Sequence, residues 1–250
     1  MFLTKATNLI VDGLLALVYP QCCAVCQGCV SSRHLGVVCA GCWRTTRLFN
    51  AGDTCCWKCG APSLGIIDPA KRTNVRCRRC RDDAFTVARA CGEYTGALQA
   101  VVLGLKREPN LSQHLLNLLA DTQQIPPLNQ STVVIPVPLH REREKERGFN
   151  QAAIIGRQLA HRLKLPFVDI TLVRTSHSEK HRAGMDASAR RASVASAFAV
   201  RYPRLVQGEK ILLVDDVFTT GATVSACAQA LLDADAAAVF VLTIARVVRY

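Results

Sequence analysis

Ile211-Leu212-Leu213-Val214-Asp215-Asp216-Val217-Phe218-Thr219-Thr220-Gly221-Ala222-Thr223 decides how the rest of the chain is read. Four large aliphatic residues in succession predict a strand buried on both faces. Two carboxylates follow, then a turn rich in hydroxyls, then a helical pattern over 222–233. In open α/β sheets, ligands sit beyond the carboxyl ends of the strands. Backbone N–H groups at the helix start, with the hydroxyls of Thr219, Thr220 and Thr223, make a cradle for a terminal phosphate. Gly221 lets the backbone turn and approach closely. Asp215 and Asp216 would repel that phosphate, but they can accept hydrogen bonds from sugar hydroxyls. An acidic strand end before a Thr-rich cap accounts for any one of these residues, but not for the whole string.

The flanking sequence repeats the alternation. Residues 87–94 predict a strand, and 95–106 a helix with Thr95 as its cap. A second helix follows Ser112 and carries Leu115, Leu116, Leu118 and Leu119. Residues 133–137 form another buried strand, 151–163 an amphipathic helix capped by Asn150, and 239–244 a further strand. Short apolar runs alternating with helices predict an α/β fold: a mostly parallel sheet with helices on both faces. The charged run Arg141–Glu146 reads as a solvated, self-paired stretch.

Before residue 90 the composition is different. Twelve of the thirteen cysteines lie between Cys22 and Cys91. They form four C-x-x-C knuckles: Cys23/Cys26, Cys39/Cys42, Cys56/Cys59 and Cys77/Cys80, the first of which can also be read as Cys26/Cys29. Two thiolates at this spacing grip one tetrahedral zinc, and a second pair closes the site. Sequential pairing predicts two structural zinc sites; interleaved pairing stays open. Cys22, Cys29 and Cys55 are neighbours able to replace a ligand, and Cys91 and Cys227 read as buried apolar residues. A disulfide framework would need an oxidising compartment, and nothing in the sequence points to export. The expected organisation is a short helix over 1–20, a cysteine-rich zinc ribbon over 21–86, and an α/β domain over 87–250.

The chain has 250 residues, half of them hydrophobic, and a net charge of +12. That balance favours anionic partners and excludes a disordered chain. Residues 8–18 are apolar but short and interrupted by Asp12 and Gly13, so no membrane span is expected and the location reads as cytoplasmic. No Ser-His-Asp set and no histidine-rich metal site suggests another chemistry.

The string VDDVFTTGAT resembles the signature by which type I phosphoribosyltransferases bind 5-phosphoribosyl-1-pyrophosphate (PRPP). The fuller pattern resembles the ComF family: cysteine knuckles, then Ile135-Pro136-Val137-Pro138-Leu139-His140, then Arg147-Gly148-Phe149-Asn150-Gln151-Ala152, then VDDVFTTGAT. The resemblance spans essentially the whole chain. It implies a type I phosphoribosyltransferase fold with a small N-terminal zinc-binding region, and a magnesium ion bound with PRPP. Asp215 and Asp216 would hold the ribose hydroxyls, Thr219, Thr220, Gly221, Ala222 and Thr223 the 5-phosphate, and Pro136, Val137 and Pro138 the pyrophosphate. Arg147 and Asn150 would complete the pocket, with Arg147 and the two acids as the catalytic set. Lys106 reads either as a pyrophosphate contact or as the solvated last turn of its helix. The acceptor is not implied.

Family members commonly carry Gln-x-Gly-Leu and then Arg-x-x-Asn before the last half-domain. Here the run reads Arg182-Ala183-Gly184-Met185, then Arg190-Arg191-Ala192-Ser193. If 174–191 is a basic lid, substrate choice or turnover differs in this chain. Two other readings stand beside the transferase. One is a PRPP or nucleotide sensor on the same fold. The other is a factor handling single-stranded DNA, as the family's association with natural transformation implies, with Arg76, Arg78, Arg79 and Arg81 touching phosphates. The alternative for those arginines is solvated charge around a ribbon.

Overall fold

The structure is a computed structural model that describes residues 21–50, 52–63, 68–175 and 197–248. The helix expected over 1–20, most of the expected lid, including Arg182 and Arg190, and Ser193 beyond it lie outside the described residues.

In chain order the helices are α1 (Ala40–Thr45), α2 (Gly96–Leu105), α3 (Gln113–Gln123), α4 (Arg141–Arg147), α5 (Gln151–Leu163) and α6 (Ala222–Leu232). The strands are β1 (Val87–Glu93), β2 (Val133–Pro136), β3 (Leu172–Arg174), β4 (Phe198–Val200), β5 (Lys210–Phe218) and β6 (Ala238–Arg246). Strands β1, β6, β5 and β2 pair in that order, all parallel. Strands β3 and β4 form a separate antiparallel pair.

Alternation along the central strands divides the core in two. Leu212, Val214, Phe240 and Leu242 face one side, with Leu115 and Leu119 of α3 and Ile155 and Leu159 of α5. Ile211, Leu213, Val239 and Val241 face the other, with Cys227 and Leu231 of α6 and Phe198 of β4. A period of two buried on both sides is why these strands read as continuous apolar runs.

The cysteine-rich stretch is built onto the same two cores. Trp43 of α1 joins the α3 side, while Cys56, Cys59 and Phe85 join the α6 side. Backbone contacts fasten it further: Ala88 N–H donates to Lys58 O at 2.7 Å, and Phe49 N–H to Cys91 O at 2.9 Å.

Several caps act as expected. Ser112 accepts from Leu115 N–H, and Asn150 from Ala152 N–H. Thr95 stands at the N-cap of α2, but its side chain makes no cap bond. One segment differs from the sequence reading, and another has no secondary structure assigned there. Strand β5 does not stop at Val214 but carries both acids and runs to Phe218. The run over Arg141–Arg147 is a helix, entered through a His140 cap and closed by Gly148 at φ 78°.

Candidate functional site

The carboxyl end of β2 lies against β5 at Val214, just before the two acids, held there by Val137 N–H donating to Val214 O at 2.9 Å. Beyond them opens a cavity of about 190 Å³, lined by Asp215, Asp216, Val137, Pro138, Lys106, Arg147 and Asn150. Seven residues singled out from the sequence, on four separate segments, thus meet in one place. Pro136 does not line it. It lines an adjoining cavity of about 630 Å³, which shares Pro138, Leu139 and Asn150 with the first and reaches Val173, Arg174 and Arg201 beside β3 and β4.

Asp215 keeps an opening to solvent through the cavity, yet protein surrounds it on its other sides. Burial, and next the neighbouring Asp216 carboxylate, push its pKa up to about 8. The N–H of Asp216, which donates to Asp215 Oδ1 at 2.9 Å, and the positive charge of Lys106 pull the other way. Burial and the paired charge both favour retention of a proton by the two acids, and a pair with one proton can both donate to and accept from a diol. Lys106 ends α2 as its C-cap with its charge felt at Asp215, so it belongs to the cavity and is not a purely solvated helix end.

The segment Arg147–Ala152 has a clear local logic. Arg147 ends α4, and Gly148 takes the left-handed conformation that stops the helix. Asn150 then starts α5. Its Oδ1 accepts from Ala152 N–H at 3.0 Å, while its Nδ2 donates to Val137 O at 3.0 Å. One side chain thus caps a helix and pins the turn after β2. Arg147 Nη1 donates to Gln151 Oε1 at 3.1 Å, which fixes its guanidinium at the cavity wall.

Arg143 also lines the cavity, and the sequence reading missed it. The available signal was the four-residue spacing between Arg143 and Arg147, which puts both on one helix face. Treating 141–146 as a solvated, self-paired stretch hid it.

Thr219, Thr220, Ala222 and Thr223 are exposed, and Gly221 is buried. None of the five lines the 190 Å³ cavity; they form the open turn that follows it along β5. Gly221 has φ +86°, and a Cβ there would lie 2.7 Å from Phe218 Cζ, so glycine is required. As the N-cap of α6, Gly221 makes no side-chain cap bond. Thr220 Oγ1 does accept from Ala222 N–H at 3.4 Å.

The cysteine region reaches this turn. Ala84 N–H donates to Ser225 Oγ at 2.9 Å in the first turn of α6. Asp83 Oδ2 lies 3.3 Å from the position a Gly221 Cβ would take. Burial raises the Asp83 pKa, while the Lys58 charge and a hydrogen bond with Ser225 oppose the rise. The sequence showed no sign of this contact, which depends on how the ribbon folds back.

The eight knuckle cysteines gather into two groups: Cys23, Cys26, Cys39 and Cys42, and Cys56, Cys59, Cys77 and Cys80. Pairing is sequential, as expected. Sulfur separations are 3.7 Å for Cys26–Cys39 and 3.6 Å for Cys56–Cys80 and Cys59–Cys77. Four sulfurs on a zinc tetrahedron at about 2.3 Å would be about 3.8 Å apart, whereas a disulfide needs about 2.05 Å. The donor set therefore fits zinc. Amides aimed at sulfur support it: Cys39 N–H reaches Cys23 Sγ at 3.3 Å, and Cys77 N–H reaches Cys56 Sγ at 3.3 Å. A hydrogen bond with Cys59 draws the Cys56 pKa down to about 3, ahead of burial, which opposes it. Cys22, Cys29 and Cys55 stand outside both groups, and Cys91 and Cys227 are buried. No helix among the described residues is long and apolar enough to cross a membrane.

Residues 147–248 match the model of the phosphoribosyl transferase domain family. The chain is 31% identical over 242 residues to the DNA utilization protein YhgH of Salmonella typhimurium, covering 92% of this chain and 99% of that one. It is 26% identical over 212 residues to competence protein F of Haemophilus influenzae, covering 81% and 87%. Among solved structures it matches the glutamine PRPP amidotransferase of B. subtilis, with a TM-score of 0.38 and 18% identity over 54% of this chain and 28% of that one. With paired cysteine clusters, a parallel sheet and a relative of that identity matched from end to end, the chain belongs to the ComF family of phosphoribosyltransferase-domain proteins.

Proposed function

We propose that the chain binds PRPP with magnesium across the ends of β2 and β5 and transfers its phosphoribosyl group to an acceptor in the adjoining cavity. One observation carries this reading: Asp215 and Asp216 share a cavity with Lys106, Arg143 and Arg147, next to an open glycine turn at the start of α6. The two acids accept from the ribose hydroxyls. Thr219, Thr220, Gly221, Ala222 and Thr223 hold the 5-phosphate with amides and hydroxyls. Pro136, Val137 and Pro138 run along the pyrophosphate, with Asn150 fixing the Val137 carbonyl.

Departure of pyrophosphate from C1 leaves positive charge on the sugar ring and added negative charge on the leaving group. Lys106, Arg143 and Arg147 stand where that negative charge develops, already oriented by their helices. Magnesium, if bound on the PRPP oxygens with retained waters, would add to this charge neutralisation. The 630 Å³ cavity is the room for the acceptor. We place the two zinc ions in structural roles, in a ribbon over 21–86 ahead of the domain over 87–250, and the protein in the cytoplasm, where thiolates stay available to metal.

Isothermal titration with PRPP and magnesium tests the reading. Saturable binding is expected, lost in Asp215→Asn/Asp216→Asn. Absence of heat and of thermal stabilisation would overturn it. Binding without pyrophosphate release against any acceptor would support the sensor reading instead.

A second reading has its own observation. Arg76, Arg78, Arg79 and Arg81 are all exposed around the second cysteine cluster, and the relatives are named for DNA utilization and competence. Such a row suits the phosphates of a single strand. Handling of single-stranded DNA is compatible with PRPP binding.

A further inference from the structure

The two zinc-type clusters use eight of the thirteen cysteines. Of the remaining five, Cys91 and Cys227 are buried, Cys55 is half-buried, and Cys22 and Cys29 are exposed. These last two oppose each other across an antiparallel bridge. Cys23 N–H donates to Gly28 O at 2.7 Å on one side of them, and Val30 N–H to Gln21 O at 2.9 Å on the other. The flanking residues make these bonds, so Cys22 and Cys29 form a non-hydrogen-bonded pair. Residues in such a pair have Cα atoms about 4.5 Å apart, and their side chains leave on the same face. A disulfide spans Cα separations of roughly 4.4–6.8 Å. No backbone movement is needed to join them.

The third knuckle, Cys56/Cys59, provides an internal comparison. Cys56 N–H donates to Ala61 O at 2.7 Å and Ser63 N–H to Thr54 O at 2.9 Å, which puts Cys55 opposite Pro62 in the same register. The framework is the same, but only the first knuckle carries a thiol on both sides.

We infer that Cys22 and Cys29 are a redox-active dithiol that a low-molecular-weight disulfide closes to a cross-strand disulfide while the cluster sulfurs stay on zinc. The thiolate of one cysteine attacks the small disulfide, breaks its S–S bond and releases one small thiol. The second cysteine then attacks the protein sulfur of the mixed disulfide, forms the Cys22–Cys29 bond and releases the other small thiol. Both thiol protons end on the released thiols. The two cysteines lose two electrons, and the small disulfide gains them. The new bond closes the loop that carries Cys23 and Cys26, so the oxidised knuckle gives up its metal more slowly.

Full-length, zinc-loaded protein equilibrated with oxidised and reduced glutathione, then denatured and alkylated, tests this by intact mass. Wild type should lose two alkylatable thiols, keep both zinc ions, and recover the thiols on reduction. Cys22→Ser and Cys29→Ser should form no internal disulfide. Cys29→Pro, which installs the third knuckle's own residue at this register, should behave the same way. Chelator should remove zinc from oxidised wild type several-fold more slowly than from reduced wild type, with no difference in Cys22→Ser. An internal disulfide persisting in any single variant would overturn the inference, as would only mixed disulfides in wild type, or zinc loss in step with thiol loss. Should a variant fold poorly, gas-phase fragmentation of oxidised wild type decides: silence between residues 22 and 29 supports the bond, and cleavage there refutes it.

Discussion

Arg246 Nη2 donates to Cys59 Sγ at 3.6 Å, so the last residue of β6 contacts the second cysteine cluster. The same guanidinium donates to the Cys59 carbonyl and stacks 4.4 Å from the centre of the Phe218 ring. Phe218 ends β5 and touches the space that Gly221 leaves open. One buried side chain thus joins a metal-type cluster to the turn proposed to hold phosphate. Arg246→Ala should leave the Cys59 carbonyl unpartnered and destabilise the protein by about 1–3 kcal/mol. Denaturant unfolding measures that loss. Titration of the same variant with PRPP should show weakened binding, and Arg246→Lys should recover only part of it, because an ammonium lacks the forked donor geometry.

Asp215 predicts a dependence on pH. Its folded pKa of about 8 lies above its ordinary value of 3.8, so between these values the folded chain holds a proton that the unfolded chain has released. Stability from this group is complete below about pH 4 and is lost as pH rises through about 8. Asp215→Asn should flatten that part of the stability profile and leave the ligand-free protein more stable than wild type near pH 8. It should also abolish PRPP binding. Thermal denaturation across pH 6–9, with and without PRPP, reads both effects.

Asn150 has two separable duties. Asn150→Ala removes the α5 cap and the clamp on Val137, at a cost of about 1 kcal/mol or more for the cap. Asn150→Asp keeps an acceptor for Ala152 N–H but sets a carboxylate against the Val137 carbonyl. Chemical denaturation should show the Asp variant retaining the cap contribution, while titration shows both variants weakened toward PRPP.

If the exposed arginines meet single-stranded DNA, affinity should fall steeply with salt. Each phosphate contact contributes a slope of roughly 0.7 in log affinity against log salt. Arg78→Glu/Arg79→Glu should reduce the slope by at least about 1.4 and leave zinc content unchanged. An unaltered slope in fluorescence anisotropy would make these arginines ordinary solvated charge.

Much of the fold was legible because its signals are local. Short apolar runs at 133–137 and 211–214 mark strands covered on both faces, and the Ser112 and Asn150 caps were read from residue type alone. The cysteine spacing likewise carried its own geometry. Segments without a local signature were missed. The β3–β4 pair is two strands of three residues each, too short for any periodicity. The continuation of β5 through Asp215 and Asp216 depends on β6 offering partners as far as Arg246. Neither composition nor pattern shows that.

From its sequence alone the chain determined where the buried central strands lie, which cysteines share a knuckle, and that two acids precede a glycine turn, because each follows from the side chains within a few residues. Tertiary structure alone decided that Lys106, Arg143 and Arg147 stand around those acids, that Asp83 reaches the turn, and that Cys22 opposes Cys29. Those relations depend on distances between segments far apart in the chain or on hydrogen-bond register, and both are set only when the sheet closes and the ribbon folds onto it.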